Sequence, residues 1–524
     1  MVNSDNSDGD TFDQSESSQL QIAGLEVPLT PTAKYTSHRG RYPSINRSSP
    51  SPNLFPDGRT NYMASNKVIW EGCSILTQGR NLGWVIPEQG SPYYEVPVAK
   101  GKGYVTFWIS DDLHELNPAV LGGEAALALI EQFDIRAACM HLIYAAHATQ
   151  LDRPWEQQFV LNDNQLEQYL GLNQNKKLNK QQKLQLMLEL ARQLCHFVVY
   201  VSWPAKGAVS SFSVSRTWLW EIAEPILHFQ DCFHDHEGNP IDEQTLVGFT
   251  LKVRCGNWAQ YFLNEEKHRN KSGYYEYGIL SQSLLHDLMS LWHHHEGAVR
   301  LMTWLLFKTR VNQDSPLTVE MLMKVAFGTS LVEEGKASSK ERKKLVRRWE
   351  AAIRILLDRG WDIKPDPDSY PLQYWPTLPD SEPLAQIPNE PEQAAQFWAQ
   401  DAASVPGTRF TDLTKRTRAS FERLLGSKLW VRSPADIAER LDKIDQNTKQ
   451  KRKKAQALEP STLSGDLKAL TGQQLRDQRT SLGLSQRDLS SLTGISQKMI
   501  SLLENGERRL SETNRERLLK AFKK

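Results

Sequence analysis

The sequence predicts a mixed α+β protein, mainly helical with small β-hairpins, built as several units in tandem. Three observations carry that expectation. The chain has 524 residues, and at roughly 150 residues per domain that length suggests about three domains. Between Glu124 and about Gly360, apolar residues recur at the spacing of amphipathic helices. Short β-branched and aromatic runs such as KVIW, GWVIP and GYVTFWIS, broken by Gly and Pro, read as strands.

Hydrophobic residues make up 39% of the chain and charged residues 24%, the balance of a soluble, partly disordered protein. The 63 basic and 62 acidic residues leave a net charge of +1, which by itself argues against a nucleic-acid partner. The distribution reverses that inference. From Arg409 to Lys524 there are 26 basic and 14 acidic residues, whereas the residues before them hold 37 and 48. A basic end on an acidic body points to a region that faces nucleic acid. No run of about 18 apolar residues occurs, so no membrane-spanning helix is expected. The polar, acidic stretch from Met1 to Gln21 has no apolar core, so no signal peptide is expected either. The five cysteines (Cys73, Cys139, Cys195, Cys232 and Cys255) are scattered without a Cys-x-x-Cys pair and read as reduced thiols of a cytoplasmic protein.

Taken in order, residues 1–65 are rich in Ser, Asn, Asp and Pro and include SINRSSPSPNLFPDG. Too little apolar surface is available there to offset ordering entropy, so a disordered tail is expected. Residues 66–220 are expected to form a first unit with strands at its N-terminal side, and residues 221–375 a second. Residues 376–407, containing PTLPDSEPLAQIPNEPEQ, read as an acidic Pro-rich linker. A helical segment anchored by Phe421, Leu424, Leu425, Ile437 and Leu441, followed by the basic linker QNTKQKRKKAQALEPSTLSG, fills residues 408–465. A compact helical domain takes residues 466–524.

The two middle units share a pattern. In the first, the apolar helix AACMHLIYAAHA precedes the capped short helix of VLNDNQLEQYLGL, a Lys/Asn-rich loop and the longer helix KQQKLQLMLELARQL. In the second, GAVRLMTWLLFKTR, PLTVEMLMKVAFG and SKERKKLVRRWEAAIRILLDRG follow in the same order. Leu184, Leu188, Ala191 and Leu194 match Leu345, Trp349, Ala352 and Ile355 as equivalent helical stripes; a coincidence of helix lengths is the alternative. Each unit closes on a strand pair. In the first these are HFVVYVSW and AVSSFSVS around Pro204, Ala205, Lys206 and Gly207; in the second, Trp361–Ile363 and Leu372–Trp375. Helix, short helix, long helix and hairpin is the order of a winged helix, whose third helix would read the major groove. The outward residues of that helix are Lys180, Gln181, Lys183 and Gln185 in the first unit. In the second they are Lys340, Arg342, Lys343, Lys344, Arg347 and Arg348. A run of charge is usually a solvated helix face, but six bases against the single acid Glu341 exceed what solubility needs.

The C-terminal stretch carries the sharpest local signals. Leu475, Arg479 and Leu482 open an amphipathic helix that Gly483 stops. Ser485 is placed to cap a second helix, with Asp488 at the reciprocal position of a capping box. Leu489 and Leu492 would face the core, and Gly494 would supply the tight turn. Ser496 would cap a third helix whose Ile500 and Leu503 pack inward. Gln497, Lys498, Met499, Ser501 and Leu502 are left near its outer face, where short hydrogen-bonding side chains reach base edges in the major groove. Gln497 suits adenine, Lys498 suits guanine or phosphate, and Ser501 suits either. Residues 470–522, with the pattern SQxxLSxxTGISQxxISxxENG, resemble the Cro/repressor type of helix-turn-helix domain nearly end to end. The resemblance implies a five-helix fold that binds double-stranded DNA, with Gln486 on the phosphate backbone. Ser496 falls at the start of the implied reading helix, and Asn505, Arg508 and Arg509 in the following loop would anchor phosphates. Met499 and Leu502 depart from the polar pattern expected of base-reading positions.

Other chemistry is weakly signalled. No G-x-x-x-x-G-K-[ST] occurs, and Gly101-Lys102-Gly103 is too short to cradle a phosphate. HFQDCFHDHEGN gathers His228, Cys232, His234 and His236, but zinc needs two paired ligand groups and a polar loop is the plainer reading. His293, His294 and His295 point three ways around a helix axis. Tyr274 and Tyr275 suggest a nicking nucleophile, which needs basic or metal neighbours to act; paired aromatics in a strand are the commoner case. No cofactor, no metal and no catalysis are expected.

Tandem winged-helix-like units over about residues 110–375 resemble the replication initiators of iteron-type plasmids. The resemblance implies binding to direct repeats at an origin, opening of adjacent duplex and recruitment of host replication proteins. The expected protein is bacterial, cytoplasmic and plasmid-associated, with double-stranded DNA as partner and no membrane. A homodimer and host replication proteins are further candidate partners. A transcriptional repressor of the helix-turn-helix class is the alternative, and a DNA nicking or recombining enzyme a distant one.

Overall fold

The computed structural model describes residues 49–88, 90–111, 118–207, 209–223, 225–230, 245–311, 315–376, 388, 390–404, 417–458, 472–508 and 510–522. It is a mixed α+β structure with antiparallel sheets. No helix of the described residues is long and apolar enough to cross a membrane.

The first part of the body opens with β1 (Thr60–Ala64) and α1 (Lys67–Gln78). The hairpin β2 (Tyr93–Val98) and β3 (Gly103–Ile109) precedes α2 (Gly123–Glu131) and α3 (Ala137–Thr149). Helix α3 is apolar on every side and accordingly lies buried along nearly its whole length. Then come β4 (Phe159–Asn162), α4 (Asp163–Tyr169) and α5 (Lys180–Gln193). Asn162 and Asn179 start these two helices, each forming a reciprocal capping box with a Gln three residues on. Five strands follow: β5 (Phe197–Trp203), β6 (Phe212–Trp218), β7 (Trp220–Ile222), β8 (Ile226–Gln230) and β9 (Thr245–Cys255). The short helices α6 (Ala259–Phe262) and α7 (Glu265–Arg269) lead to β10 (Tyr277–Ser281) and α8 (Gln282–Leu291).

The second part contains α9 (Glu296–Val311), β11 (Leu317–Thr318), α10 (Val319–Phe327), α11 (Thr329–Ala337), α12 (Ser339–Asp358) and β12 (Asp362–Pro365). It continues with α13 (Pro391–Ala403), α14 (Arg418–Gly426), β13 (Lys428–Arg432) and α15 (Ala435–Leu458). The C-terminal domain has four helices among the described residues: α16 (Gly472–Ser481), α17 (Gln486–Thr493), α18 (Gln497–Glu504) and α19 (Glu512–Phe522). Five were expected.

Strand pairing gives the two parts one connectivity. In the first, β4 pairs with β9, the last strand of its sheet, which also takes β7 and β8, so β9 is central. In the second, β11 pairs with β13, again the last strand, and β13 takes β12 on its other side. A separate four-stranded sheet runs in the order β2-β3-β5-β6, and β1 pairs with β10.

Several sequence expectations are corrected here. KVIW is not a strand; it opens α1, because the Asn66 side chain caps the amides of Val68 and Ile69. The tail expected over residues 1–65 ends earlier, since Leu54 and Phe55 are buried and β1 is sheet-paired; residues 1–48 lie outside the described set. The hairpin expected to close the first unit exists as β5–β6, but it pairs with β3 and not with β4. In the second unit Leu372–Tyr374 is a single 3-10 turn, and β12 finds its partner in β13 within the segment expected to be a separate helical region. Strand β7 runs across the expected 220/221 point and the β12–β13 pairing spans 375/376, and buried hydrophobic residues from Leu54 to Ile444 pack as one cluster. The expected linker at 376–407 contains helix α13. The C-terminal domain has its own core of Leu475, Leu489, Ile495, Ile500, Leu503 and Leu518.

Candidate nucleic-acid interface

The C-terminal domain is organised by local chemistry. Ser485 caps α17 and exchanges hydrogen bonds with Asp488, as the sequence suggests. Gly494 ends α17 with φ 67°, a left-handed geometry that favours glycine. The chain then turns through buried Ile495 into α18, whose first amides are served by the Ser496 hydroxyl at 3.4 Å from Met499 N.

Beneath this turn sits a buried ion pair that sequence reading missed. Arg479 Nε and Nη2 donate to the two Glu504 carboxylate oxygens at 2.6 and 3.2 Å, and Arg479 Nη1 donates to Leu484 O at 2.6 Å. The Glu504 side chain has no exposed surface. Burial opposes its ionisation, but hydrogen bonds from Arg479 and Gln486 outweigh that and hold its carboxyl below the ordinary range. The network ties α16, α17 and α18 together.

Gln497 and Lys498 stand exposed on the first turn of α18, with Ser501 and Leu502 half-buried further along. Met499 packs against the domain core, and Arg508 Nη1 lies 3.6 Å from its sulfur. Asn505 and Arg508 are exposed in the next loop, while Arg509 lies outside the described residues. Ser496 accepts a helix amide, leaving its hydroxyl proton to donate outward. Gln486 is aimed inward: its Nε2 donates to Glu504 Oε2 at 2.8 Å, so one amide proton is engaged and the second remains for a phosphate. Exposed Arg487, beside it, was overlooked in the sequence. Leu492, expected in the core, is 54% exposed, and Leu482 at the end of α16 is 49% exposed.

In the body, the two proposed reading helices differ. On α12, Leu345, Val346, Trp349, Ala352, Ile353 and Leu356 are buried. The opposite side exposes Lys340, Lys343, Lys344, Arg347 and Arg348, and Arg354 extends the same face. Lys344 pairs with Glu341 at 2.9 Å. Arg342 must be removed from the set, because it turns inward: Nε donates to Gly335 O at 3.1 Å, Nη2 to Lys336 O at 3.3 Å, and the guanidinium covers the Phe421 ring. On α5 the correction is larger. Lys180 pairs with Asp163 and Glu167 at 2.9 and 3.1 Å, and buried Lys183 pairs with Glu167 at 2.9 Å. Those charges hold α5 to α4 and are not a free basic face. The outward side of α5 carries Gln181, Gln182 and Glu189.

The remaining motifs can also be placed. His228 is on β8 and hydrogen-bonds Thr250, while Cys232, His234 and His236 lie outside the described residues. Among the described residues no group of three or more His, Cys, Asp or Glu side chains is placed to hold a metal. Cys73, Cys139, Cys195 and Cys255 are free thiols in the core. Tyr274 receives a hydrogen bond from Trp203 Nε1, and burial together with nearby Glu265 pushes the Tyr275 phenol up.

The helix-turn-helix family model matches residues 475–524. The chain carries a DNA-binding helix-turn-helix domain there. The match covers α17, α18 and α19 together with α16 from Leu475 onward and its Arg479, and a domain of this family binds DNA in a sequence-specific way. No curated protein matches the chain. Among solved structures the chain is similar to a crystal structure of SeMet derivatives of domain 2 and domain 3 of RctB, with a TM-score of 0.26 and 8% identity. That similarity covers 55% of this chain and 86% of the other.

Proposed function

We propose that this protein is a plasmid replication initiator, with two winged-helix units in its body and a Cro/repressor-type reader appended at its C-terminus. The observation that carries the reading is the repeated connectivity of the body. Each part runs helix, strand, short helix, long helix and closing strands, with α11 added before the long helix of the second part and α13 and α14 between its closing strands; in both sheets the last strand lies between the first and the others. That strand order supports a winged-helix reading, in which the long helix would enter the major groove. The exposed basic face of α12 supports groove contact by the second unit. On this reading the protein acts in the bacterial cytoplasm by binding, without catalysis of its own. Origin repeats would be read by more than one copy, and opened duplex passed to host replication proteins.

The test is replication itself. A plasmid carrying this gene and its flanking DNA is expected to be maintained in a permissive bacterial host, and footprinting is expected to map repeated sites beside the gene. Failure to replicate, with protection of a single palindrome in the gene's own promoter, would establish the repressor reading instead. That second reading has its own support in the helix-turn-helix domain, which suffices for operator binding.

A further inference from the structure

We propose that the outer face of the sheet β2-β3-β5-β6 is a stacking platform for single-stranded DNA. One face of this sheet is spent on the core, where Val105, Phe107, Ile109, Val199, Val201 and Val214 are buried. The other face carries the rings of Tyr93, Tyr104, Trp108 and Tyr200, with Thr106, Val198 and Trp218 buried among them. Strand register puts Tyr93, Trp108 and Val198 in one row and Tyr104 beside Ser202 in another. Tyr93 and Trp108 have ring centroids 6.3 Å apart, and the Arg216 guanidinium lies over the Trp108 ring at 4.5 Å. Tyr104 and Tyr200 form a second pair at 5.9 Å, their planes only 30° apart, and Tyr104 is 39% exposed.

Within the sheet Arg216 and the exposed Glu95 balance, and it is the hairpin end of this face that favours an anion. The four strands contain two charged residues, Arg216 and Glu95, and the Glu95 carboxylate accepts a hydrogen bond from the Thr106 hydroxyl. Because Val98 pairs with Gly103 and Tyr104 with Ser202, both hairpin tips lie at the same end of the sheet. Those tips carry exposed Lys100, Lys102 and Lys206. Ser210 N donates to Lys271 O, which brings a further exposed lysine to that end. Ala99 and Lys100 both have positive φ, 49° and 61°, a conformation that non-glycine residues rarely take. The tip therefore presents its lysines from a backbone with a specific, costly shape.

Flat rings beside cations suit a ligand with alternating π faces and phosphates. A duplex hides its base faces and offers only edges and backbone, whereas an unpaired strand can lay its bases on the rings and its phosphates along the lysines. We commit to DNA because the same chain carries a DNA-binding domain. The assignment does not depend on the initiator reading, although duplex opening would supply such a strand.

The experiment uses the full-length protein and follows fluorescence anisotropy of a labelled oligothymidylate, with a duplex as the parallel probe. The Tyr104→Leu/Tyr200→Leu protein is expected to bind the oligothymidylate about tenfold or more weakly and the duplex as before. Tyr104→Phe/Tyr200→Phe keeps both rings and is expected to restore affinity to within about twofold of the parent. Changing Lys100, Lys102 and Lys206 to Ser should weaken single-strand binding and flatten its salt dependence by about 0.7 for each phosphate no longer neutralised. The proposal is overturned if the parent does not bind the oligothymidylate, if the Leu variant binds like the parent, or if the Phe variant falls as far as the Leu variant. It is also overturned if Gln497→Ala/Lys498→Ala removes single-strand binding as fully as duplex binding, which would place the strand on the C-terminal domain. Tighter binding of oligouridylate than oligothymidylate would overturn the choice of DNA.

Discussion

Removing the Glu504 carboxylate should loosen the C-terminal domain far more than any surface change. This domain has about 50 matched residues, and at about 0.1 kcal/mol per residue its stability is about 4–5 kcal/mol. Glu504→Gln leaves the Arg479 guanidinium buried with its hydrogen bond to Leu484 O but without its counter-charge. Breaking a buried pair from one side costs about 3–5 kcal/mol, and the surviving bond puts this case near 3. That is roughly a 150-fold shift toward the unfolded domain, a large part of its whole stability. Hydrogen exchange of the full-length protein reads this directly. Amides of α16, α17 and α18 should lose about two decades of protection, while the body, which has a separate core, should not change. Arg479→Met/Glu504→Leu should recover most of the loss, because apolar replacement of a buried pair is close to neutral. The pH dependence has a defined sign. Glu504 titrates below its ordinary 4.5 in the folded domain, so its contribution is complete above that value and is lost as pH falls through the folded one. Unchanged exchange in Glu504→Gln, or equal loosening of the body, would refute the reasoning.

Three further outcomes are expected. Lys343→Ala/Arg347→Ala/Arg348→Ala should weaken duplex binding and lower the slope of log affinity against log salt by about 0.9 per phosphate freed, whereas Arg342→Ala should lower thermal stability and leave the slope intact. His141 is buried, with Nε2 against Ile69 O and Nδ1 accepting from Trp220 Nε1, and burial lowers its pKa to about 4. An unfolded histidine takes up its proton at higher pH, so urea-unfolding stability should fall as pH drops from about 6.5 to 4, by about 3 kcal/mol from His141 and by a comparable further amount from buried His147, whose pKa is lowered to about 3. Gly328→Ala should destabilise the body by about 1–3 kcal/mol in thermal melts, since φ is +87° and the new Cβ would meet Asn81 Oδ1 at 2.8 Å.

What could be read from sequence follows the distance over which each feature is encoded. Ser485, Asp488, Gly494 and Ser496 make their decisive contacts within four residues, so the caps and turn of the C-terminal domain were legible in order. The Arg479–Glu504 pair spans 25 positions and was not. Strand propensity found β3, β5 and β6 but could not name their partners, because propensity describes a residue that fits a pleated, half-buried surface and carries no address. Hence the β5–β6 hairpin was assigned to the wrong sheet, and β12 was given a neighbour close in sequence when its partner is β13. KVIW failed for the opposite reason: its β-branched residues were outvoted by the Asn66 cap and by burial of the α1 face.

The lysines of α5 and α12 show why like connectivity does not mean like use. Both helices present bases early in the helix, yet α4 places Asp163 and Glu167 opposite Lys180 and Lys183. Among the described residues, no equivalent carboxylates on α10 or α11 reach the face of Lys343, Arg347 and Arg348. Glu320 and Glu333 are instead held by Lys324 and Lys336. A lysine already bonded to two carboxylates releases few counterions when a phosphate approaches, so α5 gains little from DNA. The first part of the body therefore needs another surface if it is to touch nucleic acid at all. The surface available to it is the four-stranded sheet, whose β5–β6 hairpin is inserted between α5 and the closing strand β7. An insertion at that point leaves the β4-β9-β7 pairing intact and adds aromatic residues to the outside, so a new binding surface can be gained while the fold that carries it is kept.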